Sequence, residues 1–176
     1  MYTETALFQV VYRLEKSLNP KEIALGAFLD IEVAFDNTSF KAITTAASEC
    51  GLEDICCRWV WSIHESRLVY TSIMCSTLTA KVIGGCPQGG VLSPLLWNLF
   101  VDRFSTITNY RGISTFGYAD DIVIIVEDKF AHTVREIMQG ALNVVVKWAV
   151  KEGLNISPHK TAIVPFTKRR NLVARK

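Results

Sequence analysis

Residues 116–126, FGYADDIVIIV, constrain the chain more than any other stretch, because two short apolar runs meet at a bend carrying adjacent carboxylates, Asp120 and Asp121. Runs this short and rich in β-branched residues read as strands. Aspartate is common in hairpin turns, where its side chain bonds the local backbone. Alone, the pair is therefore explained as a solvated turn, and any chemical reading depends on residues elsewhere.

Apolar periodicity assigns the elements around this hairpin. Leu7, Val10, Val11, Leu14 and Leu18 recur at helical spacing, which predicts a helix over residues 3–18 ended by Asn19 and Pro20. Residues 23–31 are a buried strand with Leu25, Ala27, Leu29 and Ile31 on one face and Gly26, Phe28 and Asp30 on the other. Helices are expected over 40–50, stopped by Gly51, and over 53–64, with Ile55, Trp59, Val60 and Ile63 inward. A hairpin over 68–75 and 78–83 precedes the glycine-rich segment GGCPQGG, residues 84–90. Val91, Leu92, Leu95, Leu96, Leu99 and Phe100 mark the helix after it. A long helix over about 130–151, stopped by Gly153, and a short strand region at Ile156 and 161–166 complete the order. Helices alternating with hairpins predict an α+β fold, a mixed or antiparallel sheet backed by helices on one face.

At 176 residues the chain can form one domain with a core, and 49% hydrophobic against 20% charged residues marks it as globular. No apolar run approaches the roughly 18 residues of a membrane span, and the first residues fit neither a signal nor a transit peptide. The expectation is an intracellular protein without a membrane partner. Five cysteines without a Cys-x-x-Cys pair predict reduced, mostly buried thiols. The net charge of +2 hides an acid-free tail with Lys168, Arg169, Arg170, Arg175 and Lys176, so residues 1–167 hold 14 basic against 17 acidic groups. An isolated nucleic-acid binder is usually more basic.

Asp30 and the Asp120/Asp121 pair meet if their strands lie side by side. Carboxylates brought together repel one another, and keeping them ionised requires positive charge. Magnesium suits such a site, since it takes oxygen ligands and commonly combines one or two carboxylates with substrate phosphates. Two such ions serve in-line phosphoryl or nucleotidyl transfer. The glycine-rich loop is compatible with that chemistry, because glycine admits a ligand close to the backbone and Gln88 offers both donor and acceptor. A tight strand-to-helix connection explains the same loop equally well.

Four segments carry a family resemblance: LDIEVAFD (29–36), GCPQGGVLSPLLWNLFVD (85–102), FGYADD (116–121) and GLNISPHKT (153–161). In order and spacing they resemble the motifs of a reverse transcriptase palm, and their wording is most similar to the non-LTR, LINE-type retrotransposon branch. The resemblance covers nearly the whole chain. It implies RNA-directed DNA polymerase activity, with Asp30, Asp120 and Asp121 as catalytic acids and ligands of two magnesium ions, for which manganese can substitute. Phe35 falls where the family has an aromatic gate against the ribose 2′-hydroxyl; a plain core role for this ring is the other reading. By the same resemblance Gln88 and Gly89 shape the nucleotide pocket and Tyr118 lies against the primer end. Lys160 falls near the departing pyrophosphate, although an ordinary surface lysine fits it as well.

The implied partners are an RNA template, a DNA primer and a deoxynucleoside triphosphate, together with the rest of a retrotransposon protein: fingers, thumb and endonuclease. Residues 1–167 are read as the palm with a residual fingers helix at 3–18, and 168–176 as a basic tail. Only part of the fingers and no thumb are expected within the chain, hence a fragment with weak or no activity alone. Nucleus and cytoplasm are the family's expected locations. Val33 departs from the pattern, which favours a small or basic residue there. Two other readings compete: a non-catalytic remnant that binds nucleic acid or protein weakly, and an RNA-dependent RNA polymerase palm, which the bulk of Phe35 disfavours.

Overall fold

The run IALGAFLDIE has no charge before its eighth residue, as a strand covered on both faces requires, and it forms β1 (Ile23–Glu32). The computed structural model describes residues 3–18, 22–74, 76–86, 89–108 and 112–168, and β1 lies at the centre of its sheet. On one side β1 pairs with β5 (Asp121–Asp128), which pairs onward with β4 (Ile113–Tyr118). Its other side pairs first with β7 (Ala162–Thr167) and then, at its C-terminal end, with β6 (Asn155–Ile156). All these pairings are antiparallel, which decides between the mixed and antiparallel alternatives among the described residues.

Alternation along β1 divides the sheet into two faces. Ala27, Leu29 and Ile31, with Ile122 and Ile124 from β5, enter the main core beneath α5 (Ser93–Thr108) and α6 (Ala131–Glu152). Ala24 and Ile125 point the opposite way and are covered by Val10 and Leu14 of α1 (Thr3–Ser17). Helices therefore pack on both faces, because the second face is also apolar away from its carboxylate end. A one-turn helix, α2 (Ala34–Asn37), follows β1; α3 (Phe40–Glu49) is capped by the Ser39 hydroxyl, which accepts from the Ala42 N–H at 3.1 Å. At the end of α6, Gly153 takes φ 75 and the Leu154 N–H returns to the Ala149 carbonyl at 2.8 Å.

Several expected inward positions stand in solvent. On α1, Leu7 and Val11 are exposed, because the helix touches the sheet along a narrow line through Val10 and Leu14. On α4 (Asp54–Glu65), Val60 and His64 are buried, whereas Ile55 and Trp59 are exposed. Helix α5 begins two residues later than Val91; Val91, Leu92 and Leu95 are exposed, whereas Leu96 and Phe100 are buried as expected and are joined in the core by Trp97 and Phe104. Strands β2 (Leu68–Ile73) and β3 (Ser76–Lys81) form a separate ribbon, exposed along its whole length. The second of these starts earlier than expected because the turn closes at Met74, with φ 55. Mostly buried thiols are also corrected: Cys86 is buried, Cys57 half-buried, and Cys50 and Cys56 are exposed. The helix stop at Asn19 and Pro20, Cys75, and the tail beyond Lys168 lie outside the described residues. No helix among the described residues is long and apolar enough to cross a membrane.

Candidate active site

Asp30 is the eighth residue of β1, and the register sets it directly opposite Asp121, the first residue of β5. Directly paired residues on antiparallel strands project from the same face, so two carboxylates from distant parts of the sequence become neighbours. Asp120 belongs to the two-residue turn between β4 and β5, and its carbonyl accepts from the Ile31 N–H at 3.1 Å. That bond ties the turn to the end of β1. Ala119, the other turn residue, takes φ 51, and its carbonyl accepts from the Trp97 indole N–H. All three predicted acids thus gather at one end of the sheet.

The fourth motif supplies the neighbouring charge. Lys160 Nζ donates to both carboxylate oxygens of Asp30 at 3.1 Å. The lysine side chain is 67% exposed and the aspartate 17%, which makes this a rim pair worth little by itself. Its backbone is held more firmly. The Ser157 N–H donates to the Asp30 carbonyl at 2.9 Å, and the Ser157 carbonyl accepts from the N–H and hydroxyl of Thr161 at 3.1 and 2.7 Å.

Burial raises the pKa of Asp121 above the ordinary carboxylate range, and the charges of Asp120 and Asp30 raise it further, with Lys160 opposing. A carboxyl that burial first, and neighbouring carboxylates second, make harder to ionise belongs to a site short of positive charge. Carboxylate oxygens are hard donors, so these residues fit a hard divalent cation. As the side chains stand, no three His, Cys, Asp or Glu among the described residues form a closed ligand set.

The glycine-rich loop is bound to the segment that carries Phe35. The Gly85 N–H donates to the Thr38 carbonyl and the Cys86 N–H to the Phe35 carbonyl, both at 2.7 Å, while Arg67 donates to the Gly85 carbonyl at 2.5 Å. Gly85 has φ 81, and a Cβ there would lie 2.8 Å from the backbone of Asp36, so this approach requires glycine. Burial pushes the Cys86 thiol up to about 11, partly opposed by Arg67, which keeps it a neutral packing group. Phe35 is half-buried, its ring 5.4 Å from that of Trp97. It borders a cleft of about 530 Å³ with Trp97, Asn98, Phe116, Tyr118 and Ala119. Gly89 is exposed with φ 79, a Cβ built on it would meet nothing within 4 Å among the described residues, and Gln88 lies outside them. Tyr118 pairs in register with Asp121.

The family model described as reverse transcriptase (RNA-dependent DNA polymerase) matches residues 4–172. The chain belongs to the reverse transcriptase family. Members of this family use divalent metal ions, in keeping with the acidic cluster. The chain is 29% identical over 173 residues to the RNA-directed DNA polymerase from mobile element jockey of Drosophila melanogaster, covering 95% of this chain and 19% of that protein. It is 27% identical over 145 residues to a putative 115 kDa protein in the type-1 retrotransposable element R1DM of the same organism, covering 81% of this chain and 14% of the relative. The chain thus spans less than a fifth of either protein. Among solved structures it resembles apo telomerase from Candida tropicalis, with a TM-score of 0.67 at 12% identity over 93% of this chain and 32% of that one. At that identity the likeness establishes the shared fold, a polymerase palm.

Trp97 is the site residue that sequence reading missed. Its signal was present as a polar N–H on the helix face that otherwise carries Phe100 and Phe104 into the core. The Lys160–Asp30 contact spans 130 positions, a separation that no local pattern reveals.

Proposed function

We propose that residues 1–167 are the catalytic palm of an RNA-directed DNA polymerase, working within a longer retrotransposon protein that supplies further grip on an RNA template and DNA primer. The pairing of Asp30 with Asp121, with Asp120 tied beside them, carries this reading. In the reaction, the primer 3′-hydroxyl gives up its proton to solvent and its oxygen bonds to the α-phosphorus of a deoxynucleoside triphosphate, as the bond to the bridging oxygen breaks and pyrophosphate leaves. Two magnesium ions, when bound, stabilise charge on the attacking and leaving oxygens. Asp30, Asp120 and Asp121 would hold them, and Lys160, beside Asp30, would be available to the departing pyrophosphate. Phe35 limits room at the sugar, favouring deoxynucleotides over the ribonucleotides of an RNA polymerase. Tyr118 borders the primer end, and Gln88 and Gly89 shape the nucleotide pocket.

Primer extension on an RNA template tests the proposal. A polypeptide containing this segment should extend with deoxynucleotides in magnesium, Asp120→Asn should lower the rate by about a hundredfold to a thousandfold, and Phe35→Ala should admit ribonucleotides. Undiminished extension by the Asp120→Asn enzyme would remove the assignment, and unchanged sugar selectivity would remove the gate.

A further inference from the structure

Trp97 is 1% exposed, and a buried indole N–H needs an acceptor. Its acceptor is the carbonyl of Ala119, in the turn that carries Asp120. Ala119 holds φ 51, a left-handed conformation that is strained for a residue with a Cβ. Orienting its carbonyl fixes the peptide that joins it to Asp120. The same ring packs against Phe35 and against Phe100, both with centroids at 5.4 Å, and Phe100 continues to Trp148 at 5.3 Å. An aromatic ladder thus runs from Phe35 into the core of α6, with the hydrogen bond to the aspartate turn as a side branch.

We infer that Trp97 is a positioning residue that holds the Asp120 turn through its indole N–H and the Phe35 ring through the tilted packing of the two rings. One side chain links the acids read above as a metal site to the ring read as a sugar gate, and the inference rests on that reading. Phenylalanine would keep a ring in the ladder but could not hold the Ala119 carbonyl. Residues that orient a ligand from behind commonly change metal affinity by an order of magnitude or more.

The 176-residue chain is titrated with Mn²⁺ alone, followed by loss of the free-ion paramagnetic resonance signal, beside its Trp97→Phe and Asp120→Asn variants. Asp120→Asn is expected to lose binding. Trp97→Phe should bind on the order of tenfold more weakly while retaining a cooperative melt. Wild-type affinity in Trp97→Phe, with binding lost in Asp120→Asn, overturns the positioning role alone. Undiminished binding in Asp120→Asn overturns the metal-site reading beneath it. Should Trp97→Phe fail to fold, the assigned Trp97 indole ¹H–¹⁵N resonance of the wild type decides. It should be protected from exchange and shift when Mg²⁺ is added, and a rapidly exchanging or unmoved resonance overturns the role.

Discussion

Val33 ends β1 in the left-handed region, with φ 49 and ψ 43, and is 60% exposed. A β-branched residue is strained there. The conformation is imposed from outside, because the Val33 carbonyl accepts from the N–H groups of Asp36 and Asn37 at 3.1 and 3.0 Å to form α2. Glycine would remove the strain of roughly 1–2 kcal/mol and add about 0.5–1 kcal/mol of unfolded-state entropy. Val33→Gly is therefore expected to stabilise the chain by about 0.5–1 kcal/mol, read as a rise of about 1–4 °C in melting temperature. A fall would show that the valine side chain contributes more than its backbone costs. The departure at Val33 was legible only against the family's wording, and its physical reason was not legible at all, since a left-handed dihedral leaves no trace in hydrophobic periodicity. Asp30 was legible because alternation along one strand sufficed, whereas its lysine partner required knowing how residues 157–161 fold back onto β1.

Among the elements, β1, α3, the β4–β5 hairpin and α6 lie close to their expected positions, because each has a clear period and a physical stop such as the Ser39 cap or Gly153. Periodicity located α1, α4 and α5 but not the depth of their burial, which depends on how much of each helix another element reaches. The exposed β2–β3 ribbon gave pattern reading least to work with, since burial does not enforce its register. The loop at Gly85 depends more on backbone than on side chains. It is fastened to Thr38 and Phe35, and an added Cβ would collide with the backbone of Asp36 and Phe35 at 2.8–2.9 Å. With a positive φ as well, Gly85→Ala has no inexpensive relaxation, and a loss of about 2 kcal/mol or more is expected in denaturant melts. Because Phe35 is moved by the same collision, sugar selectivity should weaken in parallel. Wild-type stability in Gly85→Ala would show that α2 and the loop separate freely.

At the scale of the whole molecule, the sheet brings three acids to one end, and the nearby ammonium of Lys160 is bonded to Asp30. The raised pKa of Asp121 means that the folded chain binds its proton more tightly than the unfolded chain does. Where the folded state holds more protons, stability falls as pH rises. The decline begins near the unfolded value of about 3.9 and ends once pH passes the raised folded value. At neutral pH and without divalent ions, ionised Asp121 therefore opposes folding, and Asp121→Asn should melt higher than the wild type. The gain should be small, about 1–2 °C, because Asp121 is only partly desolvated and the surrounding solvent screens its charge. It should shrink as the pH falls through the raised folded value of Asp121 and be gone below the unfolded value of about 3.9, where the carboxyl is protonated in both states. Millimolar Mg²⁺ should reverse the order, raising the melting temperature of the wild type more than that of Asp121→Asn, since only the wild type retains all three proposed ligands. Equal melting temperatures at every pH, unaffected by Mg²⁺, would mean that the acids gathered by the fold neither repel one another nor share a cation.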